Sequence, residues 1–159
     1  MQLHPLPGTG TSLKNPILQE WTHNDELVFI LGGQPNIRRH NIRSIPLSDP
    51  EGQDYIACSN LALIKIGYGS ISEAIRSRVP IIGVDFAQTA ETAFMGKIIN
   101  NLGIGVSLTA DEFFKGKWKE FIPSVLEMKQ NYSNLPTRFT KYGEAQIAGI
   151  ILDLLEEIA

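Results

Sequence analysis

The stretch of this chain whose residue types best suit ligand binding is 67–73, Gly-Tyr-Gly-Ser-Ile-Ser-Glu. It lies between two apolar runs, 61–66 and 81–84. Two buried strands joined by a short helix form a right-handed parallel crossover, and ligands bind at the carboxyl ends of such strands. A glycine turn that leads into a helix there offers free backbone N–H groups and the positive end of the helix dipole. The pattern therefore predicts an anion site, with phosphate as the first candidate.

Each polar residue of this stretch has a role that its chemistry allows. Gly67 and Gly69 permit backbone angles and a close approach that larger residues would forbid. Ser70 or Ser72 is expected to cap the helix or to bond phosphate oxygens. Glu73 is expected in the first helical turn, where the dipole favours a carboxylate, and it can accept from both hydroxyls of a vicinal diol. The alternative is a tight strand-to-helix turn that has only a structural role and binds no ligand.

The surrounding pattern predicts the elements that position this turn. Apolar runs alternate with amphipathic segments at least four times, which predicts an α/β fold with a Rossmann-like, doubly wound parallel sheet. Strands are expected at 26–31, 42–47, 61–66, 81–84 and 104–108. Helices are expected at 14–21, 48–59, 70–77, 89–101, 118–132 and 142–158, and a further helix is expected to open at 109–111. We expect the last helix, which is amphipathic, to pack on the sheet.

The organisation is that of one domain over 1–159. Segment 1–12 holds two prolines and two glycines, so it is expected to be loop-like. Either residues 1–3 are the stub of a first strand, or the chain is a portion of a longer protein. No internal repeat or second domain is indicated.

Composition excludes several classes of function. Hydrophobic residues at 43% and charged residues at 19% are ordinary for a globular domain. A net charge of −3 argues against a nucleic-acid partner. A basic cluster at 38–43 is either a solvated loop or a contact for an anionic partner. No apolar run is long enough for a membrane span, and no secretory signal is expected. The single cysteine, Cys58, is expected in the core and fits a cytoplasmic protein.

The motif Lys-x-Gly-Tyr-Gly-Ser-x-Ser-Glu-Ala at 65–74, followed by Val-Pro-Ile at 79–81, resembles the nucleotide-sugar-binding half of GT-B glycosyltransferases. It is similar in particular to the group of the bacterial N-acetylglucosaminyltransferase of lipid II synthesis, and to the glycosyltransferase-like part of plant arabinokinases. The likeness is strongest over about residues 42–108 and includes the lead-in 49–55.

The resemblance implies roles for the residues around the turn. The backbone of 67–70, including Tyr68, would bind the diphosphate, while Glu73 would hold the ribose hydroxyls. Leu47, with its neighbouring backbone, would lie at the nucleobase. Lys65 would offset charge on the leaving diphosphate, or be a solvated lysine at the sheet rim. Gln88 and Glu91 would read sugar hydroxyls, and Asp85 would contact the ligand or cap the next helix.

The first functional prediction is therefore a glycosyltransferase donor domain for a nucleoside-diphosphate sugar, with uridine as the expected base. It would transfer a sugar only with a second, acceptor-binding GT-B half, on a separate subunit or a longer chain. The alternative is a non-catalytic nucleotide-sugar-binding or regulatory module. A relative of nucleotide-sugar 2-epimerases is a third reading. No metal cluster, Walker loop or dinucleotide motif is present in the sequence, so we expect no cofactor.

Overall fold

The computed structural model describes residues 2–3, 26–32, 38–46, 48, 52–136, 139 and 143–158. Within those residues the strands are β1 (Gln2–Leu3), β2 (Phe29–Leu31), β3 (Arg38–Arg39), β4 (Ile42–Ser44), β5 (Ala62–Lys65), β6 (Ile81–Asp85) and β7 (Gly105–Thr109). The helices are α1 (Gly52–Ala57), α2 (Tyr68–Arg76), α3 (Ala90–Asn101), α4 (Ala110–Phe114), α5 (Trp118–Glu127) and α6 (Gly143–Ile158). A 3₁₀ helix, Met128–Asn134, continues α5.

The strands form one sheet in the order β3-β4-β2-β1-β5-β6-β7. All neighbours are parallel except β3 and β4, which form an antiparallel hairpin at one edge. The chain moves outward one way through β1, β2 and β4, and the other way through β5, β6 and β7. This confirms the predicted Rossmann-like, doubly wound sheet. The order reverses between β1 and β5, and ligands bind at such a switch point in open α/β sheets.

Helices cover both faces of the sheet, so the central strands are buried on both sides. On one face Ile71 of α2 and Ile99 of α3 pack against alternate residues of β5 and β6. On the other face Trp118 and Val125 of α5 pack with Phe29 of β2. The Phe29 and Trp118 rings meet edge to face at 6.4 Å. This two-sided core fixes the carboxyl edge of the sheet as a rigid platform.

The first strand agrees with one of the two expectations for the start of the chain. Gln2 pairs with Ile30 of β2 and with Ala62 of β5, so residues 2–3 are a central strand of the sheet. The expected helix at 14–21, the glycine-rich segment 8–12 and the start of the helix expected from 48 lie outside the described residues, apart from Ser48, which is in a turn.

Three sequence-based expectations about the packing and the helices are wrong. Cys58 is exposed, because α1 ends at Ala57 and turns Ile56, not Cys58, into the core. The helix expected over 118–132 tightens to 3₁₀ geometry from Met128 onward.

The third correction concerns α6, which does not pack on the sheet. No residue of α6 is buried, and its seven large apolar side chains are 52–81% exposed. The reason is that the described helices α1 to α5 already cover the sheet, whose β5 and β6 core residues are almost completely buried. An ion pair of 3.6 Å joins Arg76 Nη2 at the end of α2 to Glu144 Oε1 in the first turn of α6. Among the described residues, no helix has the length and apolarity to cross a bilayer.

Candidate functional site

The turn from β5 into α2 lies at the switch-point edge of the sheet, and its helix start has no side-chain cap. Gly67 is the N-cap residue, with extended backbone angles, and no side chain of the described chain bonds the helix start. The first helical bond runs from the Ile71 N–H to the Gly67 carbonyl at 3.1 Å. The backbone N–H groups of Tyr68, Gly69 and Ser70 therefore have no acceptor within the helix.

This geometry corrects the expected cap. Ser70 and Ser72 lie inside α2, as its third and fifth residues, and neither caps it. Glycine is tolerated at the N-cap position, so the helix can begin without a side-chain acceptor. The consequence is a row of backbone donors that a phosphate can reach.

The glycines of the turn have open space above them. A Cβ atom built on Gly67 or on Gly69 has no heavy atom within 4 Å, and the φ of Gly67, −171°, is one that any residue adopts. By contrast, a Cβ on Gly105 would lie 2.0 Å from the Ile81 carbonyl oxygen. The protein's own packing thus requires glycine in the sheet but not in the turn. The expectation that backbone angles demand glycine at 67 is wrong, and the space for close approach remains.

The turn is nevertheless anchored by contacts between Ile66, which precedes it, and strand β6. The Ile66 N–H donates to the Val84 carbonyl at 2.9 Å, and the Ile66 side chain is buried. That side chain lies against Gly83, where an added Cβ would meet it at 2.9 Å. Since β5 cannot shift without disturbing this contact, the donors of the turn are preorganised.

Helical periodicity sorts the polar residues of α2 into two flanks. Ile71 and Ala74 are buried, and Glu73 is half-buried beside them. Gly69 and Glu73, four residues apart, lie on one flank. Tyr68 and Ser72 are exposed on the other. Glu73 and the open glycine are thus neighbours on the helix surface, and Ser72, three residues after Gly69, borders the same glycine from the other flank.

Glu73 also lies one turn deeper than expected. It is the sixth residue of α2, whose first turn contains no acidic side chain. The dipole of the first turn therefore does not explain a carboxylate at this position. Glu73 is thus a half-buried carboxylate beside an open turn, and its oxygens can accept hydrogen bonds.

The neighbouring loop from β6 into α3 is constrained more than its sequence suggests. Asp85 Oδ1 accepts from the Gln88 N–H at 2.7 Å, and Gln88 has a φ of +49°, which is uncommon outside glycine. Thr89 and Thr92 then form a reciprocal capping box at the start of α3. Asp85 therefore shapes the loop, whereas Thr89 caps the helix. A Thr-x-x-Thr spacing was the signal for this cap, which sequence reasoning missed.

The structure brings some predicted site residues to one edge and leaves others apart. Because β5 and β6 are adjacent and parallel, the 67–70 turn and the 86–89 loop lie side by side. Gln88 and Glu91 are exposed there. Lys65 is exposed at the end of β5, but strand alternation puts it on the sheet face opposite α2. Leu47 lies outside the described residues.

The third strand-to-helix turn at this edge, from β7 into α4, is closed by its own side chains. The expected capping box is confirmed: the Thr109 N–H donates to Glu112 Oε2 at 3.0 Å and the Glu112 N–H donates to Thr109 Oγ1 at 3.2 Å. The bond from the Thr109 backbone, helped by Lys117, lowers the pKa of Glu112. Across the described residues, no three His, Cys, Asp or Glu side chains group as a metal site would need.

Comparison with known proteins gives one curated relative. No family model matches the chain. The chain is 30% identical over 79 residues to the L-arabinokinase of Arabidopsis thaliana, a match that spans 50% of this chain and 8% of the relative. The matched segment is thus a small part of a much longer protein.

Solved structures share the fold at low sequence identity. The calicheamicin glycosyltransferase CalG4 superposes with a TM-score of 0.72 at 16% identity, over 99% of this chain and 44% of CalG4. The glycosyltransferase SnogD from Streptomyces nogalater gives 0.52 at 16% identity, over 85% and 40% of the two chains. The glycotransferase of kitacinnamycin gives 0.55 at 15% identity, over 82% and 37%. The chain therefore has the fold of one half of these GT-B glycosyltransferases and spans less than half of their length.

Proposed function

We propose that this chain is a glycosyltransferase donor domain, which binds a nucleoside-diphosphate sugar at the 67–73 turn and transfers the sugar only with a second, acceptor-binding half. The observation that carries the proposal is the uncapped start of α2 under open glycines, at the switch point of a sheet shared with glycosyltransferases. A diphosphate supplies the acceptors that these backbone donors lack. The proposal places the protein in the cytoplasm, a reducing compartment in which the exposed thiol of Cys58 needs no disulfide partner.

The remaining residues take roles from their positions around the turn. Glu73 accepts from the two ribose hydroxyls, with uridine as the proposed base. Gln88 and Glu91, in the adjacent loop and helix start, bind hydroxyls of the sugar. Tyr68, exposed at the first position of α2, covers the bound nucleotide from the solvent side.

In the transfer step, an acceptor hydroxyl oxygen forms a bond to the anomeric carbon while the bond from that carbon to the diphosphate breaks. The nucleoside diphosphate leaves with the bonding electrons, and a base on the second half takes the hydroxyl proton. The N–H groups of α2 and the ammonium of Lys65 stabilise the charge on the leaving diphosphate.

A second candidate function is a non-catalytic nucleotide-sugar-binding module. It is favoured by the likeness to an L-arabinokinase, a protein whose name states a kinase activity and not glycosyl transfer. Both functions share the donor site and differ only in whether a second half makes the domain catalytic. Transfer in the presence of that half separates them.

Calorimetric titration with UDP, UDP-N-acetylglucosamine and GDP tests the site. We expect Glu73→Ala and Gly69→Ala each to weaken binding of the preferred ligand by at least about tenfold, which is 1.4 kcal/mol. Gly149→Ala is the matched control, because Gly149 is also a helical glycine with open space around it but lies in α6. Equal affinities in all three variants would overturn the assigned site. Turnover by the 159-residue chain alone would overturn the need for a second half.

A further inference from the structure

The proposed donor site leaves the left-handed backbone of Gln88 unexplained. The φ of Gln88 is +49°, a region that few residues other than glycine occupy, and asparagine, aspartate and histidine are the ones that enter it most often. Glutamine belongs to neither group, so backbone preference does not explain this residue type at position 88. Residues held in such conformations cluster at ligand sites, where the surrounding structure imposes the strain.

The other left-handed non-glycine residue among those that the structure describes has an ordinary structural cause. Arg78, with a φ of +55°, follows the end of α2. Its N–H donates to the Ile75 carbonyl at 3.1 Å, and the Val79 N–H donates to the Ala74 carbonyl at 2.9 Å. These two bonds form a Schellman motif, in which the left-handed residue comes just after the helix. Gln88 precedes a helix instead, so helix termination does not account for its conformation.

The conformation of Gln88 is held by a side chain at the end of the preceding strand. The Gln88 N–H donates to Asp85 Oδ1 at 2.7 Å. Asp85 is the last residue of β6, whose pairing with β5 on one side and β7 on the other fixes its backbone, and it is half-buried. A side-chain acceptor on a rigid strand thus closes the loop and holds the backbone of Gln88 in place.

The rest of the loop is anchored on both sides of Gln88. Phe86 packs edge to face against Phe113 of α4, with ring centroids 5.7 Å apart. On the other side, the Thr89 N–H donates to Thr92 Oγ1 at 3.0 Å within the capping box of α3. The loop therefore has fixed points before and after the left-handed residue, which is itself exposed. A side chain on such a loop is held in a narrow range of directions before a ligand arrives.

A preorganised carboxamide at this place suits the sugar of a nucleotide-sugar. The Gln88 amide both donates and accepts hydrogen bonds, as a sugar hydroxyl also does. Because β5 and β6 are adjacent and parallel, the loop lies beside the 67–70 turn, where we propose that the diphosphate binds. The sugar is bonded to the terminal phosphate of that diphosphate, so the loop is its neighbour. A group that is fixed before binding loses less conformational freedom when the ligand arrives.

We propose that Asp85 is a positioning residue of the donor site, which holds Gln88 so that its carboxamide binds the sugar and makes the site prefer a nucleotide-sugar to the nucleotide alone. This inference rests on the proposed function. Asp85 does not touch the ligand and acts only through Gln88. Removal of the Asp85 carboxylate therefore reduces the contribution of the sugar to binding and spares the contribution of the nucleotide.

Calorimetric titration of the chain with UDP, UDP-glucose and UDP-N-acetylglucosamine tests the positioning role. In Asp85→Ala we expect the affinity for the preferred UDP-sugar to fall at least about fivefold, as for one lost hydrogen bond, while the affinity for UDP changes less than about twofold. Asp85→Asn keeps a side-chain oxygen that can accept from the Gln88 N–H, so it should retain most of the preference for the UDP-sugar. Arg78→Gly is the matched control, because it changes the other left-handed residue and should alter neither affinity.

A double-mutant cycle separates positioning from a general loss of structure. Gln88→Ala should weaken UDP-sugar binding about as much as Asp85→Ala does, and the double variant should show no further loss, because residues that act through one contact are not additive. Three results would overturn the positioning role and leave the nucleotide site standing. They are equal weakening of UDP and UDP-sugar in Asp85→Ala, additive losses in the double variant, and equal wild-type affinity for UDP and both UDP-sugars. Binding of none of the three ligands by folded wild-type protein would instead refute the proposed function together with this inference.

Discussion

Two strand-to-helix turns at the same edge of the sheet solve the same physical problem in opposite ways. At the start of α4, Thr109 and Glu112 satisfy the backbone donors reciprocally. At the start of α2, Gly67 supplies no side chain, and no other side chain of the described residues bonds the donors of the turn. Both helices follow parallel strands, so position in the fold does not explain the difference.

The contrast distinguishes the turn at which we propose the donor site from the other two turns at this edge. The cap of α3 by Thr89 and Thr92 repeats the closed arrangement, and only the turn of 67–70 among these three is both uncapped and open above its glycines. The space around the glycines gives the same contrast. Sheet glycines such as Gly105 are fixed by neighbouring protein atoms, whereas those of the turn are not.

Closing the open turn should produce the largest effect. Gly67→Asp supplies an N-cap carboxylate, which bonds the free N–H groups and stands where the diphosphate would bind. Two like charges about 4 Å apart repel by about 4 kcal/mol at an effective dielectric constant of about 20, so we expect donor affinity to fall at least about 100-fold. Stability should rise by a few tenths of a kcal/mol at most, since aspartate is only slightly better than glycine as a cap. Titration calorimetry and urea unfolding measure the two effects; unchanged affinity would refute a diphosphate site at this turn.

Removing the side-chain cap of α4 should lower protein stability and leave donor affinity unchanged. Thr109→Ala removes the cap of α4, so the free energy of unfolding should fall by about 1 kcal/mol. Donor affinity should stay within twofold of wild type, because the capping box bonds only its own helix. Thr109→Ser, which keeps the hydroxyl, is the control and should restore most of the stability. Weakened donor binding in Thr109→Ala with the fold intact would mean that the closed turn also contributes to the site.

The smallest expected effect is on how protein stability depends on pH, through the capping box of Thr109 and Glu112. The backbone bond from Thr109 and the contact with Lys117 lower the pKa of Glu112 in the folded protein. A carboxyl group whose folded pKa is depressed stabilises the protein above its unfolded pKa and loses that contribution as the pH falls through the folded value. Glu112→Gln should therefore be less stable than wild type at neutral pH, and this difference should shrink below the ordinary glutamate value of 4.5. Urea unfolding at several pH values checks the trend, and a difference that grows in acid would contradict it.

The sequence by itself determined most of the strands and helices and the place of the candidate turn. It left the first strand open and assigned the β3 segment, Arg38–Arg39, to a loop or a partner contact. Apolar runs at 61–66 and 81–84 with a glycine turn between them leave few alternatives to a parallel crossover. Capping at Thr109 and Glu112 was also readable, because a Thr-x-x-Glu spacing acts within one helical turn. Such features depend on neighbours in sequence, which is why local patterns predict them.

Only the tertiary structure decided which polar side chains cap a helix and which helix starts have no side-chain cap. The cap at Thr89, the left-handed Gln88 and the displacement of Glu73 into the second turn of α2 depend on where each helix begins. Periodicity fixes helix starts only to within a few residues. The exposed face of α6 could not be foreseen for a different reason. An amphipathic pattern says that a helix buries one face but not against what, and here the described helices had already covered the sheet.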